Sequence, residues 1–330
     1  NPYLRHRVRL LLVLISHYKS IDMKTQIILR KVHYAFSAFL CTACLVSCND
    51  WLKPEPLSFY SPENTYVTKE GLEGALVSCR AMIRPEFIGN NSYACTELMT
   101  SDVAVAGNIV AQTLKNFEIQ LKPGAYGDSQ IGTFWSKGYS AIQKANTIIS
   151  RVQAADEITE NDKNTILAEG YFHRSYWYYK LVNQFGDVPF IDKEVTTPKL
   201  DFYSHTRSSI LKRLREDMMF ATRYLPESAP HGAVSKAAGN HLLAKICLAC
   251  CDFDGAVAAT TAVIDHSQHK LMEKRFGVNI SDAQYNIISD LFNRENINSS
   301  ENLEGIFLVE DKRLTEGGTS TGSYRMRDLV

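Results

Sequence analysis

The segment Asn161–Phe185 constrains the fold more than any other part of the chain. It contains no proline, and Gly186 comes directly after it, where a glycine can adopt the left-handed conformation that closes a helix. On a helical wheel with Tyr171 as origin, Phe185, Tyr178, Val182, Ser175, Tyr179, Phe172 and Tyr176 fall within about a half-circle. His173, Lys180 and Gln184 cluster on the opposite side. An apolar face that wide predicts a helix packed against two neighbours, as in stacked helical hairpins.

The same periodicity recurs along the chain. It predicts helices over Lys69–Arg84, stopped by Pro85, and over Ser129–Ala154. After an extended segment at Val188-Pro189-Phe190-Ile191, it predicts Ser208–Tyr224, ending near Pro226, then Ser235–Cys251 and Gly255–His266 around an Asp252-Phe253-Asp254 turn. Ala237, Ala238, Ala244 and Ala249 permit close helix approach, and this last pair is similar to a tetratricopeptide unit, although no clean repeat period emerges. One strand is expected, Gly305–Val309. The fold class is mainly α, an irregular helical bundle with tetratricopeptide-like helical hairpins.

The N-terminal region has a different character. Met23 opens a basic stretch (Lys24, Arg30, Lys31), succeeded by an apolar run from Tyr34 to Val46. That run is shorter than the about 20 residues needed to cross a bilayer, and it suits the apolar part of a secretory leader. It ends in Leu45-Val46-Ser47-Cys48, which resembles a lipobox, with the Cys48 thiol as the lipidation point. Residues 23–47 are thus expected to be a lipoprotein signal peptide and 48–60, with Pro54 and Pro56, a tether. Residues 61–330 form the helical domain, and residues 1–22 read as an upstream or misannotated extension. Several acyl chains hold a protein stably where one does so only marginally, at about 0.8 kcal/mol per buried CH₂.

The whole chain balances 36 basic against 36 acidic residues, but residues 1–47 carry seven of the former and only one of the latter, Asp22. Residues 48–330 are therefore mildly acidic, and they lack a dense basic run, which argues against nucleic acid as a partner. Past the leader, the remaining cysteines are Cys79, Cys95, Cys247, Cys250 and Cys251, an odd set without disulfide-framework spacing. Cys247-x-x-Cys250-Cys251 has no second Cys or His pair at zinc spacing, so no metal and no cofactor is expected. The adjacent acids Glu216/Asp217 and Glu310/Asp311 diverge by about 100° if helical, so neither makes a glycosidase pair. Gly317-Gly318 to Gly322 lacks the Gly-Lys-Ser/Thr of a phosphate loop. No catalytic constellation emerges.

Several blocks, in order, resemble the SusD/RagB family. They are Cys48-Asn49-Asp50-Trp51-Leu52; Phe134-Trp135 through Ala145-Asn146; and Ala168-Glu169-Gly170-Tyr171-Phe172-His173-Arg174-Ser175-Tyr176 through Leu181-Val182-Asn183-Gln184-Phe185-Gly186-Asp187-Val188-Pro189. Gly232 to Lys236 with Ala238 and Leu242-Leu243-Ala244-Lys245, and Asp290-Leu291-Phe292 through Ser300-Glu301-Asn302 with the expected Gly305–Val309 strand, continue the series. The ordered set spans residues 48–325 and is specific as a set, although each block alone is weak. The resemblance implies a non-enzymatic lipoprotein at the outer membrane of Bacteroidota, facing the cell surface. It would capture oligo- or polysaccharide as a hinged lid over a SusC-like TonB-dependent transporter. Some relatives take peptides instead, and a helical-repeat scaffold without a small ligand is the remaining alternative. Family members continue beyond Val330, so the C-terminal part of the domain is expected to be missing.

A sugar site needs exposed aromatic faces and polar side chains for hydroxyls. The wheel buries Tyr171, Tyr178 and Tyr179, and Trp135 and Trp177 read as core. The resemblance instead implies a variable loop, Asp102–Tyr126, with Asn108, Gln112 and Tyr126 as ligand contacts. Arg174 and Asp187 read as residues that hold loops and helix ends through charge-assisted bonds.

Overall fold

The computed structural model describes residues 65–87, 130–230, 232–265, 268–297 and 299–309, together with parts of 25–37. Two units divide the chain, residues 1–60 and 61–330. In the first, helical turns cover Thr25, 27–34 and 36–37, with Ile27, Ile28, Leu29, Val32, Tyr34 and Phe36 exposed. No helix among the described residues is long and apolar enough to cross a membrane.

The second unit is built of α1 (Lys69–Phe87), α2 (Gln130–Val152), α3 (Glu160–Phe185), β1 (Val188–Pro189), β2 (Ser204–His205), α4 (Arg207–Tyr224), α5 (Lys236–Ala249), α6 (Phe253–Ile264) and α7 (Ile287–Leu291). Local chemistry sets the boundaries. Thr159, Thr206, Ser235, Asp252 and Asn286 each accept a backbone N–H of the first turn of the helix they precede. Such caps each contribute about 1 kcal/mol. Gly186 closes α3 at φ 73°, and its N–H donates to the Val182 carbonyl. α5 turns into α6 through Cys250 to Asp252, with Cys251 at φ 60°. The turn therefore lies earlier than Asp252-Phe253-Asp254, because Asp252 is already the cap of α6.

α3 is the axis of the bundle. It packs against α2 and α4, and also touches α1 and α5. Trp177, Tyr178 and Leu181 of α3 are fully buried and meet Phe134 and Ile142 of α2, Leu211, Leu214 and Met218 of α4, and Ile246 of α5 in one core. A second cluster joins Leu72, Leu76 and Cys79 of α1 to Ala145, Ile148 and Val152 of α2 and to Ile166 and Leu167 of α3. Burial of each large apolar side chain stabilises by about 1.5–3 kcal/mol. Gly170 lets α2 come close, since a Cβ there would lie 3.1 Å from Ile149 Cγ1.

Three expectations need correction. First, the wheel predicted two neighbours and a polar back for α3, but the back is covered by α1. His173 is fully buried against Glu169, which also binds Arg80 of α1 at 2.6 and 2.8 Å. Lys180 and Tyr176 both reach Glu86 of α1. Polar residues on one side of a helix thus found polar partners rather than water. Second, α1 continues past Pro85 to Phe87, since a proline so near the end removes only one helical hydrogen bond. Third, Gly305–Val309 is not a strand. No ladder partner pairs with it among the described residues, and Ile306, Phe307 and Val309 instead pack as irregular chain on the core. Asp290-Leu291 belongs to a short helix, α7, for which the sequence raises no expectation, since periodicity over so few residues reveals nothing.

Candidate functional site

Cys48, Asn108, Gln112 and Tyr126 lie outside the described residues, as does the loop Asp102–Tyr126. The other sequence-derived assignments can be placed. Trp177 and Tyr178 are core. Trp135 is half-buried between Tyr139 and Phe185, with ring centroids 4.9 and 5.0 Å away. Tyr171 lies beneath Arg174, at 4.9 Å, and beside Phe220. None of these rings is an open sugar platform.

Arg174 and Asp187 do hold loops and helix ends. Arg174 donates to Asp217 of α4 at 2.5 Å, to the Asp192 carbonyl at 3.0 Å and to Asn146 of α2 at 3.3 Å. Asp187 accepts the Arg207 N–H at the start of α4, at 2.8 Å. Arg174 belongs to a larger device. A polar stripe on α2 at helical spacing, Tyr139, Gln143, Asn146 and Ser150, grips the segment that comes after α3. Tyr139 donates to the Pro189 carbonyl (2.8 Å), Gln143 to that of Val195 (3.3 Å) and Asn146 to that of Ile191 (2.7 Å), while Ser150 accepts the Glu194 N–H (3.0 Å). Arg151 pairs with Glu194, and Tyr178 accepts the Ile191 N–H at 2.6 Å. The strap 188–206 is thereby pinned at its root, and its tip presents Leu200 and Tyr203 to solvent.

Acid–base chemistry finds little footing. Of the pair Glu216/Asp217, Asp217 is buried on Arg174 while Glu216 points outward. Burial raises the Asp217 carboxyl above its ordinary value, against the pull of Arg174 and Arg213. Cys79, Cys247, Cys250 and Cys251 are free thiols. Burial pushes Cys79 up to about 12 and Cys247 to about 11, so neither is a ready thiolate. Among the described residues no group of three His, Cys, Asp or Glu could hold a metal ion.

A polar concavity among the described residues lies elsewhere, between the turn that links α4 to α5 and the irregular segment 297–308. It encloses about 610 Å³, within the range of small-molecule sites. Ser228, Ser235, Gln268, Ser299, Ser300 and Asn302 supply hydroxyl and amide groups, and Pro230, Ile306 and Leu308 supply apolar wall. The turn is held by the Lys236 N–H on the Pro226 carbonyl (2.8 Å) and by Gly232 at φ 79°. On the facing side Asn302 donates to the Ile297 carbonyl at 3.3 Å, while its Oδ1 is buried with no partner among the described residues. Such a surface can offer hydrogen bonds to a polyol. It carries no acid pair at its centre. Sequence reasoning missed it, although Glu227-Ser228-Ala229-Pro230 and Ser299-Ser300-Glu301-Asn302 are the composition of functional loops.

Residues 72–248, more than half of the chain, match the SusD-like family described as "Starch-binding associating with outer membrane". The chain belongs to the SusD-like family. Among curated relatives, it is 29% identical over 243 residues to SusD-like protein P2 of Formosa agariphila, an alignment covering 72% of this chain and 47% of that protein. To SusD-like protein P25 of the same organism it is 24% identical over 301 residues, covering 88% and 53%. This SusD-like chain therefore spans about half the length of the curated relatives it matches. Solved structures share the fold. A SusD superfamily protein of Bacteroides vulgatus superposes with a TM-score of 0.55 at 17% identity, over 66% of this chain and 48% of that one. A laminarin-binding SusD-like protein gives 0.54 at 21%, over 62% and 46%. Surface glycan-binding protein A of Bacteroides uniformis gives 0.58 at 17%, over 72% and 52%. One wall of the cleft, residues 227–235, falls within the family match, and the other, 297–308, lies beyond it.

Proposed function

We propose that this SusD-like chain binds a glycan, an oligo- or polysaccharide, without chemically altering it. The observation that carries the reading is a hydroxyl- and amide-lined cleft of about 610 Å³ in a member of a family described as starch-binding. Neutral sugars are recognised by dispersed polar groups that exchange water hydrogen bonds for protein ones, beside apolar wall for the ring faces. The cleft has both kinds of surface, and the fold-mates that bind laminarin and surface glycans support the same ligand class. Residues 23–47 act as a lipoprotein leader, residues 48–60 as the tether and residues 61–330 as the binding unit, with Cys48 carrying the lipid. Anchored so, the protein faces the cell exterior at the outer membrane and hands its ligand to a SusC-like TonB-dependent transporter. Asn108, Gln112 and Tyr126, which lie outside the described residues, contribute further contacts.

Affinity electrophoresis of the full chain through gels containing starch, laminarin and other polysaccharides tests the ligand class. At least one should retard the wild type, and Asn302→Ala with Ser299→Ala should abolish that retardation. Migration unchanged in every glycan, with peptide binding in its place, would overturn the reading. For the anchor, Cys48→Ala should lose all incorporation of a clickable fatty acid; equal labelling of variant and wild type would remove Cys48 from the scheme.

A further inference from the structure

The far wall of the polar cleft has little regular structure to hold it. Beyond α6 the described chain forms turns and irregular backbone, apart from the short α7. Carbonyls in such a segment must be paired by side chains or by water. Arg275 supplies much of that pairing. A guanidinium carries five N–H donors in a fixed fork. One terminal nitrogen of Arg275 donates to the Asp282 and Tyr285 carbonyls, at 3.0 and 2.5 Å. The other donates to the Asn279 carbonyl and to Asp290 Oδ1, and Nε donates to Asp290 Oδ2. All five donors are thus matched by acceptors within residues 279–290.

Asp290, fully buried, passes this order on. Its Oδ2 also accepts the Phe276 N–H at 3.2 Å, and its carbonyl accepts the Asn296 side chain at 3.0 Å. Asn296, likewise fully buried, accepts the Val278 N–H with Oδ1 and the Ser299 N–H with its carbonyl, both at 3.0 Å. The wall then closes on itself. Ser299 Oγ accepts the Glu301 N–H at 3.2 Å, and the Ser299 carbonyl accepts the Asn302 N–H at 3.0 Å. Glu301 reaches back to the Gly277 N–H at 2.9 Å. Ser299 and Asn302 both line the cleft. An Oγ that accepts from a backbone N–H keeps its own O–H to donate, and Asn302 Oδ1 is a buried acceptor without a partner among the described residues. The wall therefore offers a hydroxylated ligand one donor and one acceptor.

We propose that Arg275, which is not among the residues lining the cleft, is its positioning residue: it sets the Ser299–Asn302 turn in place before a glycan arrives. A wall ordered in advance spares the ligand the cost of ordering it. The role rests on the reading of this cleft as a glycan site. It also requires arginine, since a lysine has three donors and no planar fork.

The test uses the full chain with its Arg275→Met and Arg275→Lys variants, and starch and laminarin as probes. In affinity electrophoresis Arg275→Met should weaken binding of the retarding glycan at least about tenfold, the factor lost when a tenth of the molecules hold a competent wall. Arg275→Lys should fall between that variant and the wild type. Hydrogen exchange separates positioning from general stability. Amides of 276–278 and 299–302 should exchange at least about tenfold faster in Arg275→Met, while those of α3 change less than about twofold. Saturating glycan should return protection to 299–302 in that variant, because coupling between ordering and binding is reciprocal. Undiminished binding by Arg275→Met, or an equal loss of protection in α3, overturns the proposal. If neither glycan retards the wild type, the glycan reading falls by itself. Exchange at 299–302 then decides the remainder: faster in Arg275→Met upholds the hold of Arg275 on the wall, and unchanged removes it.

Discussion

α3 and α6 invert the usual relation between polarity and burial. α3 takes Lys163, Glu169, His173 and Arg174 into the interior, while α6, with a single charge, leaves Phe253, Val257 and Ile264 in water. The difference shows what each helix is for. In α3 the buried charges are paired: Glu169 with Arg80 and His173, Arg174 with Asp217, Asn146 and the Asp192 carbonyl, while Arg174 Nε and His173 Nδ1 have no partner among the described residues. Apart from the Glu169–His173 pair within α3, these contacts join α3 to α1, α2, α4 and the strap, so together they fix its rotation and register, which apolar contact alone leaves loosely specified. Among the described residues, α6 buries no charged side chain.

The comparison is broken most forcefully at Arg174, only 1% exposed. Arg174→Ala strands Asp217 in the interior and frees the strap carbonyl at Asp192. Loss of one partner of a buried pair costs about 3–5 kcal/mol. Chemical denaturation should show a loss of that size. A change below about 1 kcal/mol would mean that the buried charges of α3 carry no special weight.

Glu169 sharpens the same contrast through pH. Burial pushes its carboxyl upward, but hydrogen bonds from His173 and Arg80 outweigh it and hold the group below its ordinary 4.5. A depressed value in the folded state stabilises the protein above the unfolded value, and that stabilisation is lost as pH falls through the folded one. Glu169→Gln should therefore cost about 1.5–3 kcal/mol at pH 7. The gap between variant and wild type should narrow as pH falls below the ordinary 4.5 and through the lower folded value. Asp217, raised by burial, works in the opposite sense, its protonation favouring the fold as the solution is acidified. Denaturation curves from pH 7 to pH 3 check this; a gap that stays constant would show that Glu169 acts by shape, not charge.

Sequence pattern revealed the helices because apolar periodicity and cap chemistry are local. α3 was bounded to one residue by Gly186 and the run before it. Which side of α3 meets water was not legible. His173 and Lys180 read as a solvent face, yet Glu169, Glu86 and Arg80 make that side an interface, a matter of pairing between segments some ninety positions apart. Trp177 and Leu181, beyond the predicted half-circle, were already a sign that the apolar surface continued round the helix. The polar stripe on α2 was half visible in Ala145-Asn146, but its partner is the backbone of residues 189–195, which has no side-chain signature. The cleft failed for the same reason. Its walls are two loops whose hydroxyls and amides look like ordinary turn residues until the fold sets them face to face.

The smallest effect is predicted at Phe253, and it discriminates the two helices most cleanly. Phe253 opens α6 directly after its Asp252 cap, and 64% of it is exposed. Its aromatic ring makes little use of burial in this chain, so truncation removes little hydrophobic stabilisation. Serine is well tolerated in a first helical turn, and the Asp252 carboxylate still accepts the Gly255 N–H at 3.1 Å. Phe253→Ser should thus shift stability by no more than about 0.5 kcal/mol, although it deletes a phenyl group from a helix. A large loss in this chain instead would show that Phe253 is already packed and that α6, like α3, has its full set of neighbours.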